Sequence, residues 1–476
     1  MITPVSMGST PTTPRPPTRG RVAVGVLCLI QFVDVLGVTV VVIALPSMLH
    51  DLDAPAAAAG PVMTGYAMFF GGLLMFGARL GDRYGHRRVL LCGLALFAVA
   101  SLLAALVASV WLLVAGRCLQ GCAAAVSVPT ALRLLTWVTP SPAARRRAVA
   151  AWSAAGAAAG ASGFVVGGVV TQTAGWRVIF LAGVPLAMVL VFMVLRAVPE
   201  TDDARSGGHL DVTGALLLTC SVMALVIGAA VVEQQASRPL GLLALATGVA
   251  LLPVFVRSQR RCPAPLLPAR AARDRRLRVG AATAFVNTAT TSSVVTLVTL
   301  QLQQSGGLSP SAAGLNLLPV SLGVVVGAAA AAPALRRYRP QTVLGLGLAG
   351  IGAGAGALTA MATGVWLVPV AVGVLGAGLG LSSVASTTLG TDVPTDLQGA
   401  ASGALNTMAQ LGTALGVAAL LLTASTVDRL GLAISGAQVA WALAAAAACV
   451  TALVVVLHDR RTASAASRDP TTTATR

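Results

Sequence analysis

Fourteen stretches of this chain run for about twenty residues with almost no charge: 22–45, 59–79, 88–108, 110–136, 146–172, 177–197, 212–232, 239–257, 279–301, 311–333, 342–362, 366–388, 398–424 and 437–457. A helix rises about 1.5 Å per residue, so about 20 apolar residues cross a hydrocarbon core roughly 30 Å thick. Inside such a core every backbone polar group must be satisfied internally, which leaves helices or closed barrels. Runs this long read as helices. Soluble domains carry roughly 25% charged residues, whereas this chain carries 10% and is 56% hydrophobic. The predicted fold class is an all-α polytopic membrane protein. Connections as short as Ser109 make neighbouring helices antiparallel.

The arginines test the count. The chain has no lysine, and 28 of its 32 arginines fall in cytoplasmic segments if the N-terminus is cytoplasmic. Arg177, Arg238 and Arg429 then lie outside, and Arg117 alone lies deep within a run, away from its ends. This is the positive-inside pattern, and one missed span would scramble it. Both termini are therefore expected in the cytoplasm, with the protein multi-pass in the inner (plasma) membrane. The net charge of +17 reads as topology and contact with the lipid bilayer, not as nucleic-acid binding. Residues 1–21, rich in Pro and Thr, and 458–476 read as disordered cytoplasmic tails. No cleavable signal is expected ahead of the first run. The most basic loop, 258–278, reads first as a topology anchor. The seven scattered cysteines make neither a disulfide framework nor a metal spacing.

Several short stretches carry more than hydropathy. Between the second and third runs stands "GARLGDRYGHRR", Gly77 to Arg88. Gly77 and Gly81 permit close helix approach, Gly85 permits a tight turn, and Asp82 can accept from a helix N-terminus or pair with an arginine. The fourth run contains "RCLQGCAAAVSVPTAL" and the fifth "GAAAGASGFVVGG", Gly156 to Gly168.

Together these motifs resemble the major facilitator superfamily, specifically its fourteen-span drug:proton antiporter branch. The loop matches at Gly77, Gly81, Asp82, Arg83, Gly85, Arg87 and Arg88. The fourth run matches at Arg117, Gln120, Gly121 and Pro129. "GWRVIFLAGVPLA", "LDVTGALLLT", "LQQSGGLSPSAAGLNLLP" and "QGAASGALNTMAQLGTALG" are similar to the same branch, so the resemblance extends from about Val22 to Leu457. It implies the major facilitator fold with 14 transmembrane helices. Residues 22–197 and 279–457 would form two six-helix bundles, and 198–278 would hold two extra central helices and the basic cytoplasmic loop. It also implies alternating access around a central cavity, with the Asp82 loop latching the bundles together on the cytoplasmic side.

Two departures stand out. In the fifth run Gly156, Gly160, Gly163, Gly167 and Gly168 keep the small-residue stripe of the antiporter-type motif, but Phe164 stands where the branch has proline. The stripe reads equally as tight helix packing. In the first run, "DVLGVTVVVIALP", Gly37 occupies the usual acid position and Asp34 lies three residues earlier, one helical turn away on nearly the same face.

A charge within the membrane is costly and pairs with another group or lines a wet cavity. Among the 15 acids, Asp34 alone is deep in an apolar run. It lies about 12 Å from the outer face and Arg117 about 10 Å, from their residue offsets at 1.5 Å each. The expectation is therefore that Asp34 carries the proton and Arg117 is its electrostatic partner, with a static structural pair as the alternative. Gln31, Gln120, Asn287, Gln301, Asn316, Asn406 and Gln410 are candidates for the substrate cavity.

The leading reading is a proton-coupled efflux transporter that exports hydrophobic, cationic drugs or antibiotics, with a monomer expected. The alternative is a narrow-specificity exporter or carrier of one endogenous metabolite, not necessarily an antiporter. No phosphate-binding G-x-x-x-x-G-K-[ST] stretch or metal cluster is present in the sequence, so no cofactor is expected and a proton gradient supplies the energy. An enzyme finds no support in the residues.

Overall fold

The structure, a computed structural model, describes residues 17–55, 58–139, 141–200, 211–232, 237–263, 265, 268–360, 367–394, 397–431 and 434–466. The described chain is helical, with no strand in it. The helices are α1 (Pro17–Asp51), α2 (Ala59–Tyr84), α3 (His86–Leu106), α4 (Val110–Trp137), α5 (Pro142–Ala174), α6 (Trp176–Ala197), α7 (Val212–Val231) and α8 (Arg238–Arg261). A short α9 (Ala269–Arg273) precedes α10 (Arg275–Leu300), α11 (Pro310–Arg337), α12 (Pro340–Leu358), α13 (Leu367–Gly390), α14 (Gln398–Arg429) and α15 (Gly436–Ala466). Thirteen described helices are long and apolar enough to cross a membrane, and α2, bent by 51° between Leu74 and Phe76, makes a fourteenth. The chain is a multi-pass membrane protein. The short α9 lies in the basic loop, where its Ala271 is buried.

Local signals explain several helix starts. Ser141, Asp274 and Ser309 cap α5, α10 and α11 by accepting hydrogen bonds from backbone N–H groups of the first turn. Gly85 closes α2 at φ 93°, a conformation that side chains with a Cβ rarely adopt. The outermost runs extend past their expected ends. Helix α1 begins at Pro17 and α15 reaches Ala466, because nothing in those flanks breaks a helix once it is nucleated. Residues 17–21 and 458–466 are therefore helical rather than parts of disordered tails, and 1–16 and 467–476 lie outside the described residues.

The packing has an internal repeat. In the first half α1 packs on α5, α2 on α4, α3 on α4 and α3 on α6. The second half repeats this list with α10 on α14, α11 on α13, α12 on α13 and α12 on α15. Equivalent glycines permit the close crossings. A Cβ at Gly77 would lie 2.0 Å from the Ala125 carbonyl oxygen, and one at Gly327 2.0 Å from that of Ala377. Small residues are what lets membrane helices approach this closely. Helices α7 and α8 pack on each other, and α7 also reaches α2 and α14, one from each bundle. The outer side of α8 leaves Leu240, Leu243, Val249 and Val254 exposed, as a lipid-facing helix should.

With fourteen antiparallel spans, the start of α1 and the end of α15 fall on the same face as the arginine-rich turns between α2 and α3 and between α11 and α12. The two bundles meet along α2/α14 and α5/α11, and the seam is tight toward the opposite face. There Gln303 Nε2 donates to the Ile43 carbonyl at 2.9 Å, and the Ser311 hydroxyl donates to the Gln172 side chain. A Cβ at Gly168 of α5 would stand 2.6 Å from the Pro310 carbonyl of α11. Two turns nearer the arginine-rich face, the nearest atom to such a Cβ at Gly160 is Ser321 Oγ at 3.6 Å. At Gly156 the nearest neighbours are Gln31 and Val35 of α1. The two helices therefore diverge toward the arginine-rich face. On α2, Gly71 meets Gln410 of α14, but past the bend Gly77 meets only α4 nearby. Toward the opposite face the bundles touch at these points, below a groove of about 870 Å³ between the end of α1 and the 303–310 segment, and α5 and α11 part toward the arginine-rich face.

This geometry predicts that Gln172→Cys combined with Ser311→Cys, in a background without other cysteines, forms a disulfide in the resting protein. The linkage is expected to block transport reversibly, measured as gel mobility and dye efflux before and after reduction.

Candidate functional site

Helix α1 presents two faces. Gln31, Val35 and Thr39 lie against the glycines of α5. Ile30, Val33 and Asp34 line the inside of the first bundle with residues of α3, α4 and α6. A Cβ at Gly37 would meet nothing within 4 Å, so that position looks into open space. Positions three apart on a helix differ by about 60° in direction. That rotation is enough to carry the carboxylate from the open side of α1 into the bundle. The shift of the acid from position 37 to 34, read from the sequence as nearly face-preserving, moves it to another environment.

There Asp34 Oδ1 accepts a 2.6 Å hydrogen bond from the Tyr66 hydroxyl of α2. Arg117 of α4 does not pair with Asp34 directly: its guanidinium lies over the Tyr66 ring, 4.9 Å from the centroid. A desolvated cation over an aromatic face gains about 2 kcal/mol. Arg117 Nη1 donates to Gln120 Oε1 at 2.8 Å, and Gln120 Nε2 donates to Ser101 Oγ of α3 at 2.9 Å. Arg117 is 2% exposed, and its Nε and Nη2 find no acceptor among the described residues. The expected Asp34–Arg117 pair is thus mediated by Tyr66, and the network draws in α1, α2, α3 and α4. Gly65 and Gly121 let α2 and α4 pack closely enough for it: a Cβ at Gly121 would be 2.3 Å from the Tyr66 carbonyl, and one at Gly65 would be 3.6 Å from Arg117 Cβ.

Tyr66 and Ser101 were not singled out in the sequence, yet a signal was there. Each is a polar residue about seven positions inside the outer end of its run, roughly 10 Å deep, which is the level of Arg117. Comparing the depth of every polar residue, and not only of the charges, would have grouped them.

The remaining candidates divide. Gln120, expected in the cavity wall, spends both ends of its amide inside the first bundle. Asn287 is buried in the second bundle and accepts from Ser382 at 3.0 Å. Asn316 donates back to the Ala312 carbonyl of its own helix. Gln31 abuts Gly156, and Gln410 abuts Gly71 where the bundles meet. Asn406 is exposed on α14. Gln301 opens a π-helical turn, Gln301–Ser305, and lines a cavity of about 140 Å³ between α2, α7, α10, α14 and α15 near the opposite face. Gln303 of the same turn, missed in the sequence, bonds across the seam.

The glycine stripe of α5 is divided between two neighbours. Gly163 and Gly167 press on Thr39 and Val40 of α1, while Gly160 and Gly168 face α11. Phe164 is buried, and its carbonyl lies against Gly314 of α11. The stripe thus packs one helix on its own bundle and on the other at once. In the 77–88 loop, Asp82 lies 3.3 Å from His86, and Arg87 holds Glu200 at 2.9 Å and the Leu195 carbonyl at 2.8 Å. Arg83 and Arg88 are exposed. These partners all belong to the first half of the chain, so the loop, expected to latch the bundles, is bonded within its own bundle in this state. The parted seam at that face is the physical reason.

The described chain is thus a membrane-spanning helical fold of two similar bundles, with a polar network buried in the first. The sequence profile of the Major Facilitator Superfamily matches residues 27–417 and, in an overlapping match, 280–472, and the chain belongs to that family. It is 34% identical over 406 residues to the cephamycin export protein CmcT of Amycolatopsis lactamdurans, covering 83% of each chain. It is 31% identical to the multidrug efflux pump LfrA of Mycolicibacterium smegmatis, covering 86% of this chain and 82% of that one. Among solved structures, the POT family transporter PepTSo superposes with a TM-score of 0.68 at 15% identity over 94% of this chain and 99% of that one, a likeness of fold.

Replacing Gln120 with Leu should leave a buried guanidinium N–H without its acceptor. The expected loss is about 1.5–3 kcal/mol, the range for hydrogen bonds to charged groups, measured by unfolding in detergent.

Proposed function

We propose that this protein is a proton-coupled efflux transporter that exports hydrophobic, cationic drugs or antibiotics by alternating access, as a monomer in the plasma membrane. The arginine-rich face is then cytoplasmic by the positive-inside rule, and the state described opens to the cytoplasm. The observation that carries the reading is the contact of Asp34, Tyr66 and Arg117 inside the first bundle. Intramembrane acids and arginines in such a setting mark proton relays and substrate pathways. The energy source is the proton gradient.

Asp34 holds its hydrogen bond to Tyr66 whether or not it carries a proton, since the phenol is the donor. Arg117 meanwhile has two guanidinium nitrogens, Nε and Nη2, with no acceptor among the described residues. Loss of the Asp34 proton creates an anion beside that unsatisfied cation. The attraction favours a rearrangement of α1 against α2 and α4, and α1 is the helix that the α5 stripe grips. Substrate enters between the bundles from the cytoplasm, and closure at that face reforms the Asp82 loop contacts across the seam. The names of the relatives support export of antibiotics and other drugs as the cargo class.

A second reading, export of one compound only, is favoured by Phe164 in the α5 stripe and by a relative named for a single antibiotic. A survival panel separates the two. In a host stripped of its own pumps, wild type is expected to protect against several cationic compounds and Asp34→Asn against none, with inhibitory concentrations falling to those of the empty host. Protection against one compound only favours the second reading. Protection that survives Asp34→Asn rejects the role of Asp34.

A further inference from the structure

The Asp34 carboxylate has a second neighbour that the Tyr66–Arg117 network does not use. A cavity of about 20 Å³ lies inside the first bundle, lined by Ile30 and Asp34 of α1, Leu94 and Phe97 of α3, Ser127 of α4 and Leu190 of α6. One water needs about 10–15 Å³ of such space and two or more polar partners. Ser127 is 5% exposed, and its hydroxyl has no partner among the described residues. This is unusual here, since Thr130 one turn on bonds back to the Val126 carbonyl, as most hydroxyls on these helices do. Ser127 points instead across to α3: a Cβ on Gly93 would come within 2.2 Å of its oxygen. A buried hydroxyl left unpaired costs about 1–3 kcal/mol, so it should find an acceptor or donor. On the other side of the cavity, Asp34 Oδ2 accepts no hydrogen bond among the described residues, Oδ1 being taken by Tyr66.

We propose that this cavity is a water site, that one water bridges Asp34 and Ser127, and that Asp34 exchanges its proton through it. The inference rests on Asp34 being the proton carrier. The site lies on the arginine-rich side of the network, since α4 runs from Arg117 through Ser127 toward that face and Asp34 and Ser127 line the same cavity. In the exchange, the acid O–H bond of Asp34 breaks as its proton passes to the water oxygen. One of the water's other protons then passes back to the carboxylate, so the acid and the water are both regenerated with their protons exchanged. Arg117 and Tyr66 bound the carboxylate on the other side. Ser127 is a positioning residue: it holds the water and does not touch the substrate.

The test is infrared difference spectroscopy on the full chain in nanodiscs. The carboxylic C=O band that Asp34→Asn removes is assigned to Asp34, and its shift after mixing into D2O gives the rate of proton exchange. Ser127→Val replaces the hydroxyl with a methyl group that fills the cavity, and should slow the exchange at least tenfold. Gly93→Ala displaces the hydroxyl from the other helix and should slow it as well, which keeps the test open should Ser127→Val fail to fold. Thr130→Val removes a hydroxyl outside the cavity and should leave the rate unchanged. Exchange at the wild-type rate in Ser127→Val or in Gly93→Ala overturns the water site, with Asp34 still the carrier. If Asp34→Asn removes no band, the proton-carrier reading fails, and the water site with it.

Discussion

The guanidinium of Arg117 is buried among helices that otherwise offer it little. Removing a cation from water is favourable only if polar groups and π-faces replace the hydration shell. The fold supplies the Gln120 amide and the Tyr66 ring, and through Tyr66 it brings in the Asp34 carboxylate. Each belongs to the same small layer of the first bundle. The helices can hold that layer only by packing closely, which is why Gly65 and Gly121 stand beside Tyr66 and Arg117. Change the spacing of α2 and α4 and the charge loses its environment.

The second bundle repeats the helix pairings of the first but not the chemistry. Where the first half buries an arginine and an acid, the second buries Asn287 and Ser382, which are neutral. Among the described residues, the acid and the arginine that lie deep within the spans thus stand on one side of the seam. The seam itself is made of glycine and backbone: α5 presses alternate glycines on α1 and on α11. A proton-dependent shift of α1 would therefore be felt directly by the helix that joins the two halves. Helix α5 runs unbroken through Phe164, where it meets Gly314, so that contact is backbone on backbone along a regular helix.

Much of this was legible in the sequence, and the residues show why. Hydropathy sets span number because hydrocarbon admits only long apolar helices, and arginine placement sets orientation because the cost of translocating charge depends on the side. Asp34 and Arg117 were found because a charge in an apolar run has few explanations. Tyr66 was not, because an aromatic residue in a membrane helix has many. The roles of Gln120 and Asn287 were also hidden. Whether an amide points into a bundle or out into a cavity depends on helix rotation, and these helices are too uniformly apolar for periodicity to reveal it. The residues of the 77–88 loop were recognisable as a motif, but the Arg87 partners, Glu200 and the Leu195 carbonyl, lie over a hundred positions away and no spacing in the loop points to them.

The sequence by itself determined the membrane spans, the face that gathers arginine, the family, and the presence of one acid and one arginine at matching depth. These follow from local composition and from distance along a helix, which a linear string encodes. Only the tertiary structure decided that Tyr66 stands between Asp34 and Arg117, that Asp34 faces the bundle interior while Gly37 faces open space, and that α5 and α11 part toward one face. Those depend on how helices far apart in the chain rotate and approach. That is settled by contacts between glycines and distant backbone carbonyls, which no single segment contains.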